Sequence, residues 1–262
     1  MNLLDYGIGK KFWLALPSED RGLSRQLSVF GFREPLNCQC YVKFINSNDT
    51  LLDIGANIGF FALLGSSAKR IVCVEPLGNV IELLKKNIAL NGLSEKCEVV
   101  HAAVGPRGRL LLEINAQLNL SKIVNERNEN TIEVDSIPLA DLAEVYHPNV
   151  VRLDVEGFEY DLLYDQIPES IGKVSMEFHT GLMGEEKSRK LLAYFRDEGF
   201  QLRYLVEDVP LRLYPFVHVL KNTIMSRPIS YVKHDLCIED SIDAIFSGRS
   251  LKYLYLERNV ST

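Results

Sequence analysis

Two groups of residues in this sequence have the types and spacing to do chemistry. The first is Leu52-Asp53-Ile54-Gly55-Ala56-Asn57-Ile58-Gly59, an acid and two glycines where a short apolar run gives way to a helix. Glycine lacks a Cβ, so backbone there comes close to a ligand, and the helix start offers unpaired N–H groups. Twenty-two residues after Asp53, Glu75 ends a second apolar run, a position from which a carboxylate accepts both hydroxyls of a ribose. Pro76 follows at a first helical position, where its missing N–H would be unpaired anyway. His101 and Ala102 lie at the end of a third run, where the edge of an adenine would rest. The second group is Asp154 and Glu156 after a fourth run, with Glu177 and His179 closing a fifth: carboxylates and an imidazole suited to moving protons.

A dinucleotide and a phosphate-free nucleoside both use a glycine turn followed by an acid. The dinucleotide fingerprint requires its middle glycine so that a pyrophosphate can lie against the backbone. Asn57 stands at that position and carries a side chain, and Asp53 would place negative charge beside the diphosphate. Both departures suit a ligand with no phosphate and a cationic amino-acid portion, which is the composition of S-adenosylmethionine. Asp53, Gly55, Ala56, Asn57, Gly59, Glu75, Pro76, His101 and Ala102 are therefore the expected cofactor-binding residues. An NAD-dependent oxidoreductase is the alternative enzyme reading, and a noncatalytic S-adenosylmethionine-binding module the alternative outside catalysis. On the other side, Asp154 and His179 are the candidate bases and Glu156 an orienting or substrate-binding group. The same carboxylates with His179 also suit a divalent cation, although nothing in their spacing demands a metal. Glu159 reads as a solvated helix position.

These residues need a scaffold, and the pattern around them supplies one. Short apolar runs at 51–54, 70–74, 98–101, 150–153 and 174–178 alternate with amphipathic stretches of helix length, the signature of a parallel sheet wrapped by helices. Open sheets of this α/β kind bind ligands beyond the carboxyl ends of their strands, which brings both groups to one crevice. Helices are expected over 57–69, from 80 to a glycine stop at Gly92, and over 184–198. Residues 105–133 read as β-hairpin material inserted before the fourth strand. Residues 200–205 and 251–256 read as a final antiparallel pair. About forty residues separate these two strands, longer than an ordinary connection, so 206–249 is expected as a lid or substrate-binding insertion. The chain divides into an N-terminal cap or extension, 1–45, and one domain, 46–262.

Composition narrows the partners. With 262 residues and 47% apolar side chains, one full core is within reach. A net charge of −6 gives no cationic surface for a phosphate backbone, so nucleic acid is not an expected partner. Five scattered cysteines argue against a disulfide framework. Cys38-Gln-Cys40 lacks the spacing and second half-site usual for zinc. Asp5 breaks the first apolar residues, no later run is long enough to span a bilayer, and a cytoplasmic enzyme is the default expectation. Tyr204, Tyr214, Phe216, Tyr231, Tyr253 and Tyr255 are candidates to line an acceptor pocket by stacking on sugar faces, with core packing the more frequent role of aromatics at this density.

The sequence resembles the FkbM family of methyltransferases. The resemblance rests on Asp53-Ile-Gly-Ala-Asn-Ile-Gly59, on Glu75-Pro76 followed by Asn87 and Asn91-Gly92, on Ala102-Ala-Val-Gly105, and on Leu153-Asp-Val-Glu-Gly-Phe-Glu159. A looser match, Gly31-Phe-Arg-Glu-Pro35, lies upstream. The resemblance implies a Rossmann-like class I methyltransferase fold, with a seven-stranded, mostly parallel sheet and helices on both faces. It also implies methyl transfer from S-adenosylmethionine to a hydroxyl of a sugar or glycan, a lipid or another small molecule. Beyond residue 180 no family signature is evident.

Overall fold

The computed structural model describes residues 2–5, 10–17, 23–115, 121–207, 232–247 and 252–258. Its centre is a run of five parallel strands, in the spatial order β5 (Cys97–His101), β4 (Arg70–Glu75), β3 (Thr50–Ile54), β10 (Val150–Leu153) and β11 (Lys173–Phe178). Strands buried on both faces are written as continuous apolar runs rather than alternating ones, and β3, β10 and β11 are buried almost throughout. Beyond β11, β14 (Lys252–Arg258) inserts antiparallel, followed by β12 (Phe200–Glu207) and then β13 (Val232–Leu236). Among the described residues the sheet thus has eight strands rather than the expected seven. The additional one belongs to the 206–249 segment and pairs with the free edge of β12.

That segment also forms a helix, α9 (Ile238–Phe246), whose Ile238 and Ile245 are buried. Residues 208–231 and 248–250 lie outside the described residues, and with them Tyr214, Phe216 and Tyr231. Of the remaining candidate pocket aromatics, Tyr253 and Tyr255 are buried in the core, with Tyr204 packed partly buried against Tyr255.

The hairpin material before the fourth strand is a separate four-stranded sheet, in the order β6 (Ala103–Val104), β9 (Thr131–Ile137), β7 (Gly108–Glu113) and β8 (Lys122–Val124). Helix α4 (Gly78–Leu90) follows β4, α5 (Leu139–Tyr146) and α6 (Glu159–Leu163) flank β10, and α7 (Thr180–Met183) with α8 (Glu185–Asp197) follows β11. The expected helix over 57–69 is only α3 (Phe60–Leu64), because Gly55, Asn57 and Gly59 all adopt positive φ and the turn consumes them. Among the described residues, no helix is long and apolar enough to cross a membrane.

The N-terminal residues pack directly onto this core. The β1 (Asn2–Asp5) and β2 (Lys11–Leu14) hairpin, with α1 (Leu23–Phe30) and α2 (Pro35–Phe44), supplies Leu4, Phe12, Leu14, Leu27 and Tyr41 to the apolar cluster that also holds α3 and α4.

Two asparagines of α4 lock β2 in place. Asn91 accepts from the Trp13 N–H at 2.8 Å and donates to the Trp13 carbonyl at 2.7 Å. Asn87 treats Ala15 in the same way, at 2.7 and 3.1 Å, and its amide also donates to the Ile58 carbonyl at 2.8 Å. Four helical residues rise roughly 6 Å and two strand residues roughly 6.8 Å, so side chains at i and i+4 match alternate backbone groups of a strand. Asn87 is wholly buried. Asn87→Ala strands three buried backbone groups and should lower stability by about 2–4 kcal/mol in urea unfolding. Asn91→Ala, on the exposed side, should cost less than half as much.

Candidate active site

The carboxyl ends of β3, β4 and β10 open onto one cleft enclosing about 660 Å³, open space toward solvent included. Its walls are Ile54, Gly55 and Asn57 from the first turn, Glu75 to Leu77 from the second, and Ala102 to Val104 after β5. Asp154 to Glu156 follow β10, and Leu112 with Ser121 to Ile123 come from the smaller sheet and its margin.

Glu75 is held by backbone. One carboxylate oxygen accepts the Asn57 N–H at 2.9 Å and the other the Leu77 N–H at 3.0 Å. Burial pushes its pKa up to about 7, against the pull of those two N–H groups. Gly55 is glycine for a second reason besides its φ of 75°: a Cβ there would lie 2.2 Å from the Asp154 carbonyl oxygen. The glycine turn is therefore pressed against the strand end that carries Asp154. Asn57, at φ 49°, is of the residue type that tolerates the left-handed region best after glycine.

The structure separates the expected cofactor residues into two sets. Gly55, Asn57, Glu75, Pro76 and Ala102 line the cleft. Asp53 does not: it is fully buried beneath the turn and paired with Arg152 at 3.1 Å, and burial raises its pKa although Arg152 opposes this. Ala56 and Gly59 lie behind the lining, where a Cβ on Gly59 would meet Leu84 at 2.7 Å. His101 is exposed, with Nε2 3.1 Å from the Pro76 carbonyl oxygen, and is not part of the cleft wall.

Arg152 was not singled out by sequence. Its guanidinium reaches Asp53, the Gly55 carbonyl at 3.1 Å and Asp154 at 2.7 Å, and lies 4.1 Å from the Phe61 ring centroid. One buried cation thus ties the glycine turn to the acidic end of β10. A cation inside an otherwise apolar strand, Val-Val-Arg-Leu, was the available signal, since such a group is buried only with partners.

On the acidic side, Asp154, Glu156 and His179 converge, each offering a ligand atom within 4.8 Å of the others. The His179 side chain is 5% exposed. Its Nδ1 stands 2.6 Å from Glu159, while its Nε2 faces Glu156 and Glu177, each at 3.4 Å. Glu159, read from sequence as solvated, is fully buried: its carboxylate also accepts the Gly157 N–H at 3.2 Å. The turn carrying these groups is left-handed at both Glu156 (φ 49°) and Gly157 (φ 97°), where a Cβ on Gly157 would meet Leu182 at 2.6 Å. Glu156 in that region holds backbone strain of a kind that collects at functional sites.

The electrostatics follow from crowding. Burial and then the charge of Asp154 push Glu156 up to about 7. Burial likewise raises Glu177. For His179, burial works downward, but hydrogen bonds and charge from Glu159 and Glu177 outweigh it and lift the imidazole to about 11. The Gly31-Phe-Arg-Glu-Pro35 motif reaches the same corner: Arg33 pairs with Glu34 and lies in the field of Glu177.

A profile of the methyltransferase FkbM domain matches residues 53–202. The chain is similar to a hexuronic acid methyltransferase of Haloferax volcanii, AglP, at 28% identity over 173 residues, covering 58% of this chain and 69% of that protein. A shorter stretch of 55 residues is 40% identical to the tRNA (guanine(37)-N(1))-methyltransferase Trm5b of Methanocaldococcus jannaschii, covering 21% of this chain and 16% of that one. Among solved structures, the C-terminal domain of precorrin-6Y C5,15-methyltransferase from Rhodobacter capsulatus is similar with a TM-score of 0.47 and 15% identity, covering 92% of this chain and 94% of that domain.

Proposed function

The chain belongs to the methyltransferase FkbM domain family, and from that footing we propose that it transfers a methyl group from S-adenosylmethionine to a hydroxyl of a sugar, glycan or similar small molecule. The observation that carries this reading is Glu75, a carboxylate fixed by two backbone N–H groups in the wall of a cleft that also contains Asp154 and Glu156. The residues present fit the donor. Glu75 suits a ribose diol, Ala102 and Ala103 leave room beside it for a flat base, and the acidic cleft suits a cation. Bound there, S-adenosylmethionine would supply a methyl group already activated by its sulfonium.

The protein's own work is then alignment and proton removal. Gly55 and Asn57 hold the turn open to the donor, while Asp53, buried under it, fixes Arg152 and through it Asp154. Asp154 and Glu156 line the side where the acceptor oxygen approaches, with His179 buried behind them, and the hydroxyl proton passes to a carboxylate of this acidic cluster. Glu159 orients His179 through Nδ1. A sugar as acceptor is supported by the similarity to a hexuronic acid methyltransferase. Incubation with methyl-labelled donor and a panel of neutral and acidic sugars tests it: label on a hydroxyl oxygen supports the assignment, and label on nitrogen, or none, contradicts it.

Glu75 also sets a pH dependence. Its pKa near 7 means that it is partly protonated in the free protein at neutral pH. Hydroxyl donors from a ribose favour the carboxylate, so binding lowers that pKa and releases protons. Affinity for S-adenosylmethionine should therefore rise as pH increases through 7 and level off above 8. Calorimetry at pH 7 in buffers of different ionisation enthalpy should show net proton release, abolished in Glu75→Gln. The same raised pKa acts on the fold in the opposite sense. Its stabilising effect is complete below the ordinary carboxylate range and is lost as pH rises through 7.

A further inference from the structure

We propose that Asp154, Glu156 and His179 form a binding site for one divalent cation at the acceptor side of the cleft. The site deepens the methyl-transfer reading, although ion binding itself can be measured without it.

The first argument is spacing. Two ligands each about 2.1 Å from a dication stand roughly 3.0 Å apart in an octahedral shell and roughly 3.4 Å apart in a tetrahedral one. His179 Nε2 lies 3.4 Å from Glu156, a separation that two atoms sharing an ion adopt. Asp154 completes the set, all ligand atoms lying within 4.8 Å of one another.

The second argument is the other face of the imidazole. Metal-ligating histidines donate their remaining ring N–H to a carboxylate, which fixes the ring and aims the free nitrogen. His179 Nδ1 is 2.6 Å from Glu159, a carboxylate with no solvent exposure that is itself anchored by the Gly157 N–H. The other Glu159 oxygen is buried and has no partner among the described residues.

The third is charge. Five carboxylates, Asp53, Asp154, Glu156, Glu159 and Glu177, crowd around the Arg152 guanidinium and the His179 imidazole, with Arg33 reaching Glu177 from outside, and ligation displaces the proton from His179 Nε2. Buried charge is tolerated when paired or when it coordinates a metal, and a dication offsets the excess. One nitrogen with two or three carboxylate oxygens suits Mn²⁺ or Mg²⁺.

A dication held by these residues would acidify an acceptor hydroxyl. The proton passes to Glu177, the carbon–oxygen bond forms as the carbon–sulfur bond breaks, and that bond's electron pair stays on sulfur.

The test is a titration of chelator-treated protein with Mn²⁺, followed by the loss of its free-ion electron paramagnetic resonance signal, without methyl donor present. One site with submillimolar affinity, displaced by Mg²⁺, is expected. Asp154→Asn and Glu156→Gln should each weaken it tenfold or more. Glu159→Gln, which touches no ion, should also weaken it about tenfold, because the imidazole loses its orienting partner. A generic acidic patch would not respond to that last change. No binding by the wild-type protein up to several millimolar Mn²⁺, or binding indifferent to all three substitutions, overturns the proposal and leaves the donor site untouched.

Discussion

Glu75→Ala should lower the affinity for S-adenosylmethionine a hundredfold or more, measured by calorimetry at pH 8. The wild-type carboxylate is positioned before any ligand arrives, by the Asn57 and Leu77 N–H groups. A ribose diol would add two charge-assisted hydrogen bonds, each contributing about 1.5–3 kcal/mol. Their loss amounts to about 3–6 kcal/mol, or roughly 10² to 10⁴ in affinity. Glu75→Gln should retain part of the binding, since an amide oxygen still accepts one hydroxyl. Asp53→Ala should behave differently. Asp53 lies under the turn and not in its surface, so its loss acts through Arg152, weakening binding only modestly while destabilising the protein. An equal, complete loss of binding in both variants would point to collapse of the turn rather than to a ribose contact at Glu75.

The second large effect is expected on turnover. His179→Ala should reduce kcat by about 10² to 10⁴, the range for disrupted proton transfer, because it removes the group that positions the proton-accepting carboxylates, with the dissociation constant of S-adenosylmethionine unchanged within a factor of about two. Because His179 is buried among three glutamates, its removal also leaves carboxylates facing each other, so a companion variant is needed. Glu159→Gln keeps the shape and one hydrogen bond but no longer holds the ring by charge, and kcat should fall about a hundredfold at constant donor affinity and nearly constant melting temperature. A fall in donor affinity equal to the fall in kcat would place His179 on the donor side instead.

The central strands were legible because the physics that buries them also writes them. Strands such as β3 and β10, covered on both faces, have no room for alternation, and each ended in a residue with chemistry to do: Asp53 and Ile54 before the glycine turn, Leu153 before Asp154. That placement brings Gly55, Glu75 and Asp154 to the cleft, while Asp53 and His101 fall outside its wall.

Other features had no local signal. Helix α2 is buried around nearly its whole circumference, so Pro35 to Phe44 lacks the polar face that betrays a surface helix. Glu159 looked solvated because an acidic residue in a first helical turn usually is. Only the fold brings His179, twenty residues later, against it. The roles of Asn87 and Asn91 depend on a strand some seventy-five residues earlier in the chain, a pairing that no window of sequence contains. The eighth strand comes from the least regular stretch of the sequence, where β13 has only the edge of β12 to specify it.

The most direct measurement is a crystal structure with S-adenosylhomocysteine and a sugar acceptor. Both ribose hydroxyls are expected within hydrogen-bond distance of Glu75, the adenine beside Ala102, and the sulfur facing the Asp154–Glu156 turn. A nucleoside bound elsewhere, or a ribose that leaves Glu75 engaged only with its own backbone, would contradict the assignment of this cleft as the methyl-donor site.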